Sequence, residues 1–346
     1  MLDIFNQNAF SVTTLAEVMR EIKYVPSLVG RLGLFSEYSI DTLDFAIEKD
    51  KDQIIKIVPA SPRGGVGDTV GKGRRSIRKL GVPHFQRDDA IYADEIQSRR
   101  ALGEERARMS FQAYIANRAA EHSVSFALTE EYHRLAVITQ GKLLDADGST
   151  LVDFYSEMGE VAPTEIDFDL DNANPAKAAL REKCDDLWRA MAATLDGLPF
   201  TGIIALCGDA FFKDLVKHKE VYDLYLAASG AATLSLGRST IDAVASAASS
   251  TWGEVTFGNI RFINYRGGQS VNIDTDKAYF VPLGVPGLFR TVYAPADYME
   301  TVNTMGQRMY AKVWPMANSK GMNLEYQTNV LHYVQRPRVL MRARRT

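Results

Sequence analysis

This chain of 346 residues has few groups suited to metal or nucleophilic chemistry. It has two cysteines, Cys184 and Cys207, in apolar-patterned segments with no Cys-x-x-Cys and no Cys/His cluster, so we expect reduced thiols made in a cytoplasm and no structural disulfide. The five histidines (His84, His122, His133, His218, His332) form no HExxH and no i,i+4 pair, which excludes the usual helical zinc pattern. There is no Gly-x-Ser-x-Gly, neither cysteine has a histidine nearby in sequence, and Lys183 beside Cys184 is offset by Glu182, Asp185 and Asp186. Asp88-Asp89 and Asp185-Asp186 sit at i,i+1 and cannot face each other on a helix. No catalytic residue, cofactor or metal ligand is therefore expected. No apolar run approaches the roughly 18 residues of a membrane span, and the N-terminal region, with Asp3, Asn6 and Asn8, lacks the basic and apolar parts of a signal peptide. A formal net charge of −3 supplies no field that would hold the protein on DNA or on an acidic membrane. No internal repeat is present.

Proline is also missing over a long stretch: Asp89 to Gln140 has none, and only one glycine, Gly103. Such a run reads as helix. Leu102, Met109, Ala113, Ala116, Ala120, Val124 and Ala127 recur at helical spacing, with Phe111, Ile115 and Phe126 beside them, which predicts a broad buried stripe. Glu104, Glu105, Arg106, Arg108, Arg118 and Glu121 fall on the opposite face, open to solvent or a partner. The hydroxyl-rich Ser123–Thr129 region, with Thr129 able to cap a helix from Glu130 onward, is where we expect a kink or break.

Before this spine the signals are short. Thr14 and Glu17 make a capping-box pattern opening a helix to about Ile22, and Pro26 can begin another over Leu28 to Leu32. Helices this short must dock on something, and they carry Leu15, Val18, Leu28, Leu32 and Phe35. Strand signals follow at Thr42–Ile47, Ile54–Val58 and Ile77–Val82. Between the last two lies a glycine-rich stretch with Arg63, Lys72, Arg74 and Arg75, which reads as a long hairpin with a mobile basic tip. It is not a phosphate loop, because Gly71-Lys72 is followed by Gly73 and the first required glycine is Val66. A dinucleotide fingerprint fails where Val70 stands in place of the third glycine.

After the spine, Asp147-Gly148 between two apolar runs predicts a hairpin over Gly141–Phe154. A calcium loop is excluded there: the glycine comes two positions early and Ser156 stands where the bidentate glutamate belongs. The acidic run Glu157–Asp171 reads as a solvated face. Then come a helix from Asn174-Pro175 to about Leu195, a strand at Thr201–Cys207, and a helix over Ala210–Leu224. A Gly/Ala/Ser-rich loop follows at Ala228–Thr240, with a helix over Ile241–Ser249 and strands at Glu254–Tyr265 and Ala278–Pro282. The chain closes on strands at Met309–Val313, Met322–Thr328 and Leu331–Met341. Its basic tail, Arg342 to Arg345, reads as solvated or salt-bridged rather than as a nucleic-acid contact.

This order of parts resembles the major capsid proteins of tailed bacteriophages, whose fold is the Hong Kong 97-type, and within them the lambda-type major head proteins. Four stretches carry the resemblance: Leu15–Phe35 with Tyr24-Val25-Pro26 and Gly30-Arg31-Leu32-Gly33-Leu34-Phe35; Pro59-Ala60-Ser61-Pro62-Arg63-Gly64-Gly65; Leu144-Asp145-Ala146-Asp147-Gly148-Ser149; and Arg336-Pro337-Arg338-Val339-Leu340-Met341-Arg342-Ala343-Arg344.

The resemblance implies an α+β fold with an N-terminal arm (1–47), an E-loop hairpin (48–88), a peripheral domain built on the spine helix (89–195, with return strands from 301–346) and an axial domain (196–300). It implies a structural protein, not an enzyme, that assembles with itself into pentamers and hexamers of an icosahedral virion head. Expected partners are scaffold, portal and decoration proteins, with packaged double-stranded DNA only in non-specific proximity and no membrane. Leu15, Val18, Leu28, Leu32, Phe35, Arg63, Lys72, Arg74 and Arg75 become candidate inter-subunit contacts. The arm would cross to a neighbour, the 228–240 loop would sit near a capsomer axis, and the basic tip would meet a neighbour's carboxylates, the 157–171 run among them. The alternative from another class is a soluble α/β enzyme with its site in the 196–300 unit. A nucleic-acid-binding accessory protein stands behind it.

Overall fold

A computed structural model describes residues 27–50, 75–96, 111–172, 174–229, 253–268 and 271–346. The expected helix at 14–22, the strand at 54–58, the glycine-rich tip, the spine before 111, most of the 228–240 loop and the helix at 241–249 lie outside these residues.

The first described element is a one-turn helix, α1 (Leu28–Arg31), followed by strands β1 (Phe35–Ser39), β2 (Asp44–Asp50), β3 (Arg75–Gly81) and β4 (His84–Tyr92) and a short α2 (Ala93–Ile96). β2 and β3 pair antiparallel into a two-stranded ribbon, Asp44 opposite Gly81 and Asp50 opposite Arg75, which corrects the sequence reading: the 77–82 strand pairs with 44–50 rather than across the tip with 54–58, and Arg75 and Ser76, read as tip, belong to β3. β4 corrects the sequence reading, which began a helix at Asp89. Phe85 and Ile91 point inward from β4 and Gln86 and Asp88 outward, but Arg87 and Asp89 occupy inward positions and hide the alternation.

The long helix α3 (Phe111–Gln140) runs through Ser123–Thr129 without the expected break. Its hydroxyls bond back along the helix, Ser125 Oγ to the Glu121 carbonyl (3.2 Å) and Thr129 Oγ1 to the Ser125 carbonyl (3.0 Å), so Thr129 does not cap a new helix. The buried stripe is also displaced: Ala120 and Val124 are exposed, and Tyr114, His122 and Phe126 face inward. Arg118, expected on the open face, is half-buried against Asp89 (3.0 Å). A stripe built largely of alanine offers little area to bury, so the larger side chains set the face. From Glu130 to Ile138 every residue except Tyr132 is buried, which places this half of α3 inside the molecule.

The Asp147-Gly148 hairpin forms as expected from β5 (Lys142–Leu144) and β6 (Thr150–Asp153), leading into α4 (Phe154–Met158), which Asp153 caps through the Tyr155 and Ser156 amides. A two-residue β7 (Ile166–Asp167) precedes α5 (Ala179–Thr194), which buries the expected Leu180, Cys184, Leu187 and Met191. The helix starts later than Asn174-Pro175 predicts because its cap comes from elsewhere: Glu220 accepts the Leu180 and Arg181 amides at 3.1 and 3.3 Å. β8 (Gly202–Cys207) is followed by two helices rather than one, α6 (Asp209–Lys217) and α7 (Lys219–Ser229). His218 breaks them with an extended ψ of 136°, and the break shifts the helical register so that Val221 is buried and Tyr222 exposed.

Strands β9 (Glu254–Phe257), β10 (Ile260–Asn264), β11 (Lys277–Leu283) and β12 (Phe289–Tyr293) follow. A Gly258-Asn259 turn splits the single strand expected over 254–265, and β12 has no counterpart in the sequence reading. β13 (Tyr310–Pro315), β14 (Gly321–Val334) and β15 (Met341–Arg344) close the chain. The break expected near Leu331 is absent, because Thr328 and Asn329 bond to flanking loops at the Arg308 carbonyl (2.7 Å) and the Pro295 carbonyl (2.8 Å) while the strand continues.

Two larger sheets result. A mixed six-stranded sheet has the order β7-β15-β11-β8-β10-β9, with β8 at its centre as a continuous apolar run buried on both faces. In the other, β14 carries β4 and β13 on its N-terminal half and β12 with parallel β1 on its C-terminal half. Sheets and chain segments interleave: β7 and β15 join strands of the 196–300 stretch, and β12 leaves that stretch for the second sheet.

Candidate assembly surfaces

The arm enters on a carboxylate. Glu131 of α3 accepts the Val29 amide (2.8 Å) and the Gly30 amide (2.9 Å), two of the free N–H groups at the start of α1. Burial raises the Glu131 carboxyl above its ordinary range, and these two hydrogen bonds and the nearby Arg134 work against that rise. Beside it the buried Glu130 is paired with two cations, Arg308 through Nε and Nη2 at 2.8 Å each and Arg134 at 3.1 Å. Leu28 and Val29 are buried, Leu32 is partly buried against the core, and Phe35 packs on Phe289 with ring centroids 5.1 Å apart. These three candidate contacts, Leu28, Leu32 and Phe35, thus pack within their own chain. Leu15, Val18, Arg63, Lys72 and Arg74 lie outside the described residues, and Arg75 is the first residue of β3.

Among the described residues, the contacts of the β2–β3 ribbon lie at its base. Phe45 packs on Tyr333 (5.3 Å between centroids), Leu80 is buried, and Arg78 Nη1 donates to the Ser156 carbonyl at 3.3 Å. Around them Asp44, Ala46, Lys79 and Gly81 are exposed.

The patch formed by β4, β14 and β13 has two unlike faces. One lays Ile91, Leu324 and Tyr326 on Tyr114 and Phe126 of α3. Asp89 on this face binds Arg118 (3.0 Å) and His122 (2.9 Å), and the His122 ring lies 4.5 Å from that of Tyr326. Burial pushes the Asp89 carboxyl up, and the hydrogen bonds from His122 and Arg118 outweigh it and hold the group below its ordinary value. The other face aligns Asp88, Glu325 and Lys312 in one cross-strand row and Ala90, Asn323 and Trp314 in the next, with no helix over them among the described residues. At its margin Met299, 90% exposed, stands with Val302 and Met305 as open apolar surface.

The sequence reading missed Asp88, Glu325 and Trp314, and three of the six carboxylates of the 157–171 run, which it named among the possible receptors, are ion-paired within the chain. Glu160 pairs with Arg338, Glu165 with Lys277 (3.1 Å) and Asp167 with Arg344 (3.1 Å). Among the described residues no group of His, Cys, Asp or Glu could hold a metal ion. Both cysteines are buried, and burial pushes the Cys184 thiol up to about 12 and Cys207 well above its ordinary range, which leaves neither as a nucleophile.

A core that buries both thiols and four of the five histidines offers no reactive site, and the two interleaved sheets braced by the long helix have the Hong Kong 97-type α+β fold of a structural subunit. Over 97% of its length the chain superposes on 98% of a prophage capsid protein from E. coli CFT073 (TM-score 0.57, 16% identity), and over 93% on 92% of the capsid chain of a native GTA particle (TM-score 0.54, 11% identity). The phage major capsid protein E family matches residues 11–345, and the chain belongs to that family. It is 26% identical to the major capsid protein of Pseudomonas phage KPP10, covering 98% of this chain and 97% of that one, and 24% identical to that of Salmonella phage Felix O1, covering 95% of each. The protein is a structural component of the phage head and not an enzyme, which sets aside the α/β-enzyme alternative.

Proposed function

We propose that copies of this chain form pentamers and hexamers that close into an icosahedral head around double-stranded DNA. The observation that carries this reading is the ribbon: a two-stranded sheet anchored at its base is marginal in water and calls for a further surface, which the described residues of its own chain do not supply. Residues 48–88 serve as the E-loop laid over a neighbouring subunit. Because Leu28 and Phe35 serve the chain's own core, contact of the 1–47 arm with a neighbour falls to residues before Ser27. The peripheral domain comprises 89–195 and 301–346 and the axial domain 196–300. This divides the chain and not the sheets, since β15 and β7 complete the axial sheet and β12 the peripheral one. The 228–240 loop lines the capsomer axis, scaffold, portal and decoration proteins are the further partners, and a net charge of −3 lets packaged DNA slide on the shell.

Size exclusion with negative-stain imaging of the expressed chain tests this. Rings of five and six or closed shells are expected, and a discrete small oligomer under all conditions would overturn it.

A further inference from the structure

The open face of the β4–β14–β13 patch is shaped for a guanidinium. Asp88, Ala90, Asn323, Glu325 and Trp314 line an open cleft of about 480 Å³. The two carboxylates are held by neutral donors: Gln86 Nε2 on Asp88 at 2.8 Å, and Tyr298 OH (3.0 Å) with Gln327 Nε2 on Glu325. Lys312, their neighbour in register, turns aside to Glu300 (3.1 Å) and lies over the Tyr298 ring (4.7 Å), so it neutralises neither. Trp314, 38% exposed, adds an aromatic wall. A planar cation that pairs with carboxylates through a fork and stacks on an indole satisfies both features, and arginine does so better than lysine. At the β13 edge Lys312 and the terminal Pro315 disfavour strand addition, so recognition on the Trp314 side comes from side chains.

The chain supplies the matching charge. Ser61 to Ser76 carries Arg63, Lys72, Arg74 and Arg75 against one carboxylate, Asp68, and five glycines that allow close approach. Its own ribbon starts at the far end of β14, where Phe45 packs on Tyr333, eight residues and roughly 26 Å from Glu325 at about 3.3 Å per residue, and it runs over Ser156 of α4. The cleft is thus better placed for another copy's segment. We propose that the 61–76 segment of a neighbouring copy docks here, with an arginine side chain between Trp314 and the carboxylates of Asp88 and Glu325. This rests on the shell reading and names the receptor for the hairpin tip.

The test uses two full-length chains with different tags, one carrying Asp88→Cys and the other Arg74→Cys, co-assembled and mildly oxidised. Cys184 and Cys207 are buried and do not compete. A disulfide joining the two tags is expected, at least tenfold more abundant than when Glu157→Cys replaces Asp88→Cys. Shells without that crosslink, or equal capture by Glu157→Cys, would overturn the receptor and leave the shell reading standing. A bond formed only within a chain carrying both cysteines would make the contact internal and also overturn it. Failure of the unmodified chain to assemble would instead remove the shell reading. In a second arm, Asp88→Lys is expected to lower shell yield at least tenfold and Arg74→Glu to restore it; full assembly of Asp88→Lys alone would refute the docking.

Discussion

Acid should loosen this fold through two histidines. His133 on α3 is 1% exposed and His332 on β14 0% exposed, with ring centroids 6.1 Å apart. The His133 ring meets Phe85, and His332 meets Phe35 and the Thr291 hydroxyl (2.8 Å). Burial holds the His133 imidazole at about 4, against the weaker opposite pull of Asp145. His332 lies well below its ordinary value, first from burial and then from Arg134, His133 and Arg308. The unfolded chain takes up a proton near 6.5 and the folded chain near 4, so the contribution of His133 is complete above 6.5 and is lost as pH falls through that window. At about 1.4 kcal/mol per tenfold in proton affinity, the full loss is about 3 kcal/mol, of which about 2 kcal/mol is reached by pH 5. His332 adds in the same direction. Denaturant unfolding of the soluble chain at pH 7.5 and pH 5 measures this, with His133→Gln as the comparison. The variant starts less stable for want of its packing on Phe85 but should lose about 2 kcal/mol less between the two pH values. If His133→Gln shows the same pH dependence as the parent chain, the buried imidazole is not the source and the reasoning fails.

Glu131→Ala should cost about 1–3 kcal/mol, because two amides of α1 lose their acceptor, and hydrogen exchange at Val29 and Gly30 should accelerate while that at Leu206 does not. Gly258→Ala should destabilise by about 1–3 kcal/mol, since φ is +55° and a Cβ there would lie 2.6 Å from Cys184 Cβ. Gly148→Ala, with φ +83° but nothing within 4 Å, should cost only the backbone strain of about 1–2 kcal/mol, and denaturant midpoints of the pair separate steric from conformational cost. Asp153→Ala should remove about 1 kcal/mol by leaving the Tyr155 and Ser156 amides uncapped, read in the same way.

The parts legible in the sequence were those governed by local rules. The Asp147-Gly148 turn, the Leu180–Met191 stripe and the apolar run of β8 are each specified by residues within one element, and each folds as read. The parts that were not legible depend on residues far away in sequence. α5 is capped by Glu220, forty positions on, so Asn174-Pro175 gave a false start. β4 conceals its alternation behind an inward Asp89 that Arg118 and His122 hold by hydrogen bonds, and β14 passes Thr328 and Asn329 through the core because loops at Arg308 and Pro295 satisfy them. The open cleft is of this second kind. Asp88, Trp314 and Glu325 carry no signal one at a time, and only the register of three strands places them side by side.

That register also decides which charges remain for assembly. Two arginines of the basic tail are paired within the subunit: Arg344 with Asp167, and Arg345 with Asp214 (2.8 Å) and Asp276 (3.0 Å), while the Leu170 amide donates to the Arg345 carbonyl (2.8 Å), fastening the last strand to the acidic run. Such pairs are partly exposed and individually weak, about 0–1 kcal/mol each, but they cancel opposite charges that would otherwise advertise false partners. Glu130, Arg134 and Arg308 do the same around the arm. Among the described residues Asp88 and Glu325 have neutral donors only, on a face that no described element covers. Where complementary charge mainly selects partners and register, a subunit that pairs part of its acidic run with its own arginines and lysines while leaving the Asp88–Glu325 cleft open restricts the places where a basic segment can dock.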